Sequence, residues 1–352
     1  MKKIGLLFIL ACLMLSGCTI KLGGNNAPAT LGVFKSVDNG EKWVEKNQFL
    51  SSGGVGRISG INVLSLTMDP SDKKGIYINS DASGLLYSYD GAESWQKATQ
   101  IGSGLIESIA IDSENKCTIY ATFANTILKS DDCNRNWSEI FIETRGLKFA
   151  ITALAVDLVD NKIVYAGNAG GEVLKSVDGG TNWQTINRLG DRIVKILVDT
   201  ENPETLYFAT KTKGLFKAEG GGLSWVNIND GLKSFSGANE FKSLVFDQTL
   251  SNSLILASKY GLLKTKDGGL TWESIKLVTQ PGSAEIYSLA VNPKNNQEIY
   301  YATASTFYKT TDGGNTWVTK RLPTNAAATA MLIDPVNPNV IYMGFSQIAK
   351  KK

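Results

Sequence analysis

Short apolar runs that close on an acidic or amide residue recur along the chain. They are LSLTMD (64–69), SIAID (108–112), ALAVD (153–157), KILVD (195–199), SLVFD (243–247), SLAVN (288–292) and AMLID (330–334). Their length, apolar character and turn-forming ends predict strands rather than helices. The closing side chain is placed to start a turn, and Pro follows it in the first and the last two. A second apolar run comes next, usually with a tyrosine: GIYIN, TIYAT, IVYAG, TLYFA, LILAS, IYYAT and VIYMG. A third run, such as GLLYS or EVLKS, leads into a polar, glycine-rich stretch that ends in tryptophan, where a fourth strand begins. No amphipathic helical period follows residue 31.

The polar stretches are one repeated box. They read KSVDNGEKW (35–43), YSYDGAESW (87–95), KSDDCNRNW (129–137), KSVDGGTNW (175–183), KAEGGGLSW (217–225), KTKDGGLTW (264–272) and KTTDGGNTW (309–317). Each of the seven tryptophans closes one: Trp43, Trp95, Trp137, Trp183, Trp225, Trp272 and Trp317. Six boxes carry an Asp five positions earlier: Asp38, Asp90, Asp132, Asp178, Asp267 and Asp312. Such a carboxylate accepts backbone N–H groups inside its own turn. The position two beyond it is Gly in five boxes, Asn134 in the third and Ala92 in the second, so the second turn is expected to differ. The fifth box has Gly220 where the Asp would stand and is degenerate. The indole is expected to fold back as an apolar pin. Full burial of ~150–250 Å² gives an upper bound of ~4–6 kcal/mol per pin.

Intervals of 42 to 52 residues between tryptophans are the spacing of propeller blades. A box comes first without its own leading strands, and a strand pair comes last without a box. Joining the two ends completes a seventh unit and leaves no open sheet edge. The predicted fold is all-β: a seven-bladed propeller of four-stranded antiparallel blades spanning 32–348, its ring closed by N- and C-terminal strands sharing one blade.

The start of the chain reads as export. Lys2 and Lys3 precede an apolar run from Ile4 to Leu15, too short to span a bilayer. LSGC (15–18) then matches a bacterial lipoprotein signal, with residues 1–17 removed and lipid on Cys18. Residues 18–31 read as a flexible tether, reaching at most about 40 Å, and AKKK (349–352) as a frayed basic tail. The expected location is a membrane-anchored protein facing the periplasm or cell exterior, on the outer membrane where the host has one. Formal charge is +3, or +1 without Lys2 and Lys3, and there is no histidine. A near-neutral chain gives no electrostatic footprint for nucleic acid, and no cofactor or metal is expected. Cys117 and Cys133 lie side by side in a hairpin turning near Ala124–Asn125, and export favours their disulfide.

The boxes resemble the Asp-box, or BNR, repeat over essentially everything after residue 31. That repeat occurs in sialidases, the sortilin luminal domain, two-propeller xyloglucan-cleaving endoglucanases and the photosystem II stability/assembly factor family. In length, lipoprotein-type start and repeat count the chain most resembles the last of these. The resemblance implies structural boxes on the lower outer rim and a non-enzymatic monomer that binds a protein or peptide segment through its upper loops.

Five of the six arginines lie between a box Trp and the next first strand: Arg57, Arg145, Arg188, Arg192 and Arg321. Guanidinium forks suit carboxylates and carbonyls, and several of the five are expected to converge as the partner-binding patch. GRISG (56–60) lacks the Pro of the sialidase element it resembles and follows the first box instead of preceding it. A glycosidase needs two carboxylates in one cleft. Resemblance to the xyloglucan-cleaving enzymes puts Asp81 at a catalytic carboxylate; Glu107 and Glu285, at the starts of first strands, are the candidate partners. The plainer reading is that Asp81 caps the loop before Gly84.

Overall fold

A computed structural model describes residues 29–348. Seven four-stranded antiparallel sheets follow one another around a ring. Blade 1 is Val63–Met68, Ile76–Ser80, Leu85–Ser88 and Gln96–Lys97. Blade 2 is Ile109–Ile111, Ile119–Phe123, Thr126–Ser130 and Ser138–Ile142. Blade 3 is Ile151–Val156, Val164–Asn168, Glu172–Ser176 and Gln184–Arg188. Blade 4 is Ile193–Val198, Leu206–Thr210, Leu215–Glu219 and Ser224–Asn227. Blade 5 is Phe241–Phe246, Leu254–Ser258, Leu262–Thr265 and Glu273–Ile275. Blade 6 is Ser288–Asn292, Asn295–Ala302, Thr306–Thr310 and Val318–Arg321. Blade 7 joins the ends: Ala327–Ile333 and Ile341–Ser346 come from the C-terminal side, Gly32–Ser36 and Val44–Glu45 from the N-terminal side. The seam pairs Gly32 with Phe345 through Ser36 with Ile341. Packing begins before residue 32: Leu31 is buried and Ala29 packs against the same core.

Seven apolar clusters fill the seven gaps between neighbouring blades. The ring is thus held by side chains facing the next blade, and the recurring tyrosines show how. The Tyr120 hydroxyl donates to Gly179 O (3.2 Å), Tyr165 to Gly221 O (3.3 Å) and Tyr342 to Gly91 O (3.4 Å), each in the next blade's box. The lysine opening the box joins them, with Lys35 donating to Gly91 O (3.0 Å) and Lys175 to Gly221 O (2.8 Å).

All six Asp-bearing boxes fold alike. The Ser or Thr two before the Asp donates to its Oδ1, as Ser176 does to Asp178 (2.8 Å) and Thr310 to Asp312 (2.7 Å). That hydroxyl accepts the N–H four residues on, from Gly180 (2.9 Å) and Gly314 (3.0 Å), while Oδ1 takes the N–H of Asn182 (2.8 Å) and Thr316 (2.9 Å). These donors hold Asp178 and Asp312 at about 2; the Asn182 N–H leads in the first and the Thr310 hydroxyl in the second. In the fifth box, Gly222 N–H and Leu223 N–H donate instead to Glu219 O, and three successive glycines take positive φ.

Two expectations change. Ala92 keeps the same turn with φ 69°. At four of the five equivalent glycines a Cβ would strike an isoleucine of the preceding blade: Ile140 at Gly180 (2.4 Å), Ile186 at Gly222 (2.7 Å), Ile228 at Gly269 (2.7 Å) and Ile275 at Gly314 (2.3 Å); at Gly40 it would strike Phe307 (2.8 Å). Each isoleucine stands three residues past its own box Trp. Before Ala92 that place is taken by Lys46, and before Asn134 by Ala98, so those turns tolerate a side chain. The tryptophan pins are also shallower than expected. Only Trp95 (0% exposed) and Trp272 (7%) are buried; the other five are half-buried. Trp95 is covered by a hairpin, Gln48–Ser51 with Gly54–Arg57, that docks on the blade 1 edge: Trp95 N–H donates to Gln48 O and Leu50 N–H to Trp95 O, both 2.8 Å. Cys117 and Cys133 are joined as a disulfide across 16 positions.

Candidate functional site

Each blade leaves its boxes on the lower side, so the upper face is built from fourth-to-first and second-to-third strand connections. The five arginines do not converge there. Arg145 and Arg188 meet at one carboxylate, Glu172, whose side chain is buried. Arg145 also pairs with buried Glu143 (2.7 Å) and stacks over Phe149, 4.2 Å from the ring centroid. The Arg145 guanidinium is the main cause that pulls Glu172 to about 2, and it holds Glu143 low as well. Arg192 reaches from blade 4 to Glu107 of blade 2. Arg57 pairs with Glu45, and Arg321 donates to Asn325 Oδ1 (3.2 Å). Only Arg145 and Arg188 thus meet at one group; Arg57 and Arg321 find acceptors nearby in the chain, and Arg192 finds its own in another blade's loop.

The three carboxylates weighed for hydrolysis lie on blades 1, 2 and 6. Asp81 accepts from Asn62 Nδ2 (2.7 Å). It does not cap its loop: Ser80 does, its hydroxyl donating to Gly84 O (2.7 Å) and accepting Ser83 N–H (2.9 Å). Glu107 is paired with Arg192 and Glu285 with Lys242. Glu285 opens into a polar cleft of about 340 Å³ shared with Glu240, Lys242 and Lys259, where Glu240 and Lys259 pair at 2.7 Å. Among the described residues no group of three or more His, Cys, Asp or Glu side chains is placed to hold a metal ion. Cys18, the tether before residue 29 and the AKKK tail lie outside the described residues.

Large aliphatic side chains stand exposed on the same face. Leu105 (41%) stands on the connection from blade 1 to blade 2, and Ile142 (52%) and Leu147 (74%) at the start of the connection from blade 2 to blade 3, alongside Arg145.

The central channel holds a feature that strand-by-strand reading missed. Four residues before each closing Asp or Asn, the inner strands place Ser65, Ser108, Ala153, Lys195, Ser243, Ser288 and Ala330 at one level. Their second-strand partners agree: Asn79, Gly167, Ala209, Ala257, Ala302 and Gly344 pair with six of them. Lys195 is the one charged member. It is exposed although it sits on an innermost strand, so its solvent is the channel. Desolvation lowers its pKa. Aligning the seven runs position by position would have exposed it. Below it the channel opens into a mostly apolar pocket of about 340 Å³, lined by Met68, Leu197, Phe246, Leu289, Met331 and Leu332 among others, with Lys73 and Gln248 as its polar members.

No family model matches the chain. A xyloglucanase from a Paenibacillus species is 26% identical over 224 residues, covering 50% of this chain and 21% of that protein. The crystal structure of a GH74 enzyme from Niastella koreensis superposes with a TM-score of 0.65 at 19% identity, over 81% of this chain and 51% of that one. YCF48 bound to D1 peptide superposes at 0.62 with 15% identity, over 83% and 94%. The chain thus spans about a fifth of the xyloglucanase and half of the GH74 structure. By fold it is a seven-bladed β-propeller, similar in that respect both to GH74 enzymes and to YCF48.

Proposed function

We propose that the chain is an exported, lipid-anchored propeller that binds a protein or peptide segment on its upper face without catalysing a reaction. One observation carries this reading: exposed Leu105, Ile142 and Leu147 stand on the two successive connections from blade 1 to 2 and from blade 2 to 3, the second of which also carries Arg145. Aliphatic side chains in a setting of arginine match the composition of protein interfaces. The Arg145–Glu172–Arg188 cluster would hold those loops in shape rather than grip the partner. A propeller structure of similar length, YCF48, is seen with a D1 peptide, which supports peptide binding as something this fold can do. The test is in-cell crosslinking from residues beside Leu105 and Leu147, read by mass spectrometry. Leu105→Asp with Leu147→Asp should abolish the crosslinks while the melting temperature holds; an unchanged crosslink pattern removes the proposal.

A second reading is glycoside hydrolysis, favoured by the 26% identity to a xyloglucanase. It predicts activity on β-glucans that disappears in Asp81→Asn. A β-glucan and sialoside panel showing such activity would replace the binding reading.

A further inference from the structure

The central channel changes character along its length. Its upper mouth carries two ion pairs, Glu107 with Arg192 and Lys242 with Glu285. Its lower mouth is the apolar pocket of about 340 Å³. That volume lies at the small end of ligand cavities, which run from about 300 Å³ upward. Between the two stands Lys195, and among the described residues its ammonium has no hydrogen bond and no ion pair. The other six residues at its level are serine or alanine, so space is left beside it. Ser108 and Ser288 turn to the neighbouring blades, accepting Leu154 N–H (3.0 Å) and donating to Ala328 O (2.7 Å), and so do not serve the lysine. Leu197 follows two residues later on the same strand and lines the apolar pocket. Side chains two apart on a strand share a face, about 6.6 Å from one another.

We propose that the channel binds a small amphipathic carboxylate, its anionic end against Lys195 and its apolar tail in the pocket below. Charge complementarity sets the head: an unpaired cation in an enclosed site gains most from an anion brought in with a ligand. The pocket lining sets the tail, since Met68, Leu197, Phe246, Leu289, Met331 and Leu332 supply its apolar wall; Lys73 and Gln248 also line it, and the Lys73 ammonium is turned to the backbone carbonyls of Asp69 and Pro70. The site is separate from the upper-loop surface and stands whether or not that surface binds a protein.

The probe is decanoate, titrated below its micelle concentration into the full chain carrying Cys18→Ser, so that no attached acyl group competes. Calorimetry should show one site per chain. Lys195→Met should weaken binding at least tenfold, or about 1.4 kcal/mol, and leave the melting temperature of the free protein unchanged or higher. Decanol and butyrate should each bind at least tenfold more weakly than decanoate. An independent measurement is acetylation of Lys195 by a neutral amine reagent, read by mass spectrometry, which decanoate should slow. Equal affinity in Lys195→Met, absent binding at millimolar decanoate, butyrate as tight as decanoate, or unprotected Lys195 would each overturn the proposal.

Discussion

Gly180→Ala tests how neighbouring blades fit together. Gly180 has φ 96°, where an L side chain is strained by ~1–2 kcal/mol. The new Cβ would lie 2.4 Å from Ile140 Cδ1 but no nearer than 3.6 Å to the other closest atoms. One terminal methyl is therefore the obstacle, and its displacement belongs at the low end of overpacking costs, ~1 kcal/mol. The substitution should cost about 2–3 kcal/mol in all. Ile140→Val deletes the offending atom and by itself should cost about 0.5–1 kcal/mol, since Ile140 is half-buried. The double variant should then be less destabilised than the sum of the two by about 1 kcal/mol, within the usual range for residues in contact. Urea unfolding of the four proteins, followed by circular dichroism, gives the cycle. A Gly180→Ala variant within 0.5 kcal/mol of the parent (about the spread of inert surface substitutions), or strict additivity in the double, would refute the idea that Gly180 admits Ile140 of the preceding blade.

Ala92→Gly should change stability by less than about 1 kcal/mol, because relief of a left-handed alanine offsets loss of a buried methyl; the same urea assay checks it. Acid should unfold the ring in a defined window. Asp178, Asp312 and Glu172 have folded values near 2, below the ordinary carboxylate values of 3.8, 3.8 and 4.5, so their stabilisation is complete above about pH 4.5 and lost as pH falls towards 2; Asp178→Asn with Asp312→Asn should flatten that limb in a pH series of melting curves, and an unchanged slope counts against it. Reducing Cys117–Cys133 should cost about 3 kcal/mol for a loop near 15 residues, measured by melting with and without reductant. Phe49→Ser should loosen the hairpin over Trp95, the one indole with no exposure, and red-shift the tryptophan emission; a spectrum identical to the parent would show that something else shields it.

The architecture was legible in the sequence because it is written seven times. Apolar runs, their closing Asp or Asn and the glycine turns are local devices, and each blade repeats them within one interval. Even the ring closure followed from phase, since a leading box and a trailing strand pair complement each other. What the sequence did not determine was anything that depends on which side chains meet. The Arg145 partner Glu172 is 27 residues away and the Arg192 partner Glu107 is 85, so isolated loop charges became internal ion pairs only when the blades closed up. The burial of Trp95 alone came from a hairpin outside the repeat. The isolation of Lys195 needed seven strands from across the chain to surround one amine. Local periodicity sets the blades because its hydrogen bonds and turns form between near neighbours. Charge pairing and desolvation, by contrast, are fixed by distances through space, and only the assembled ring has them.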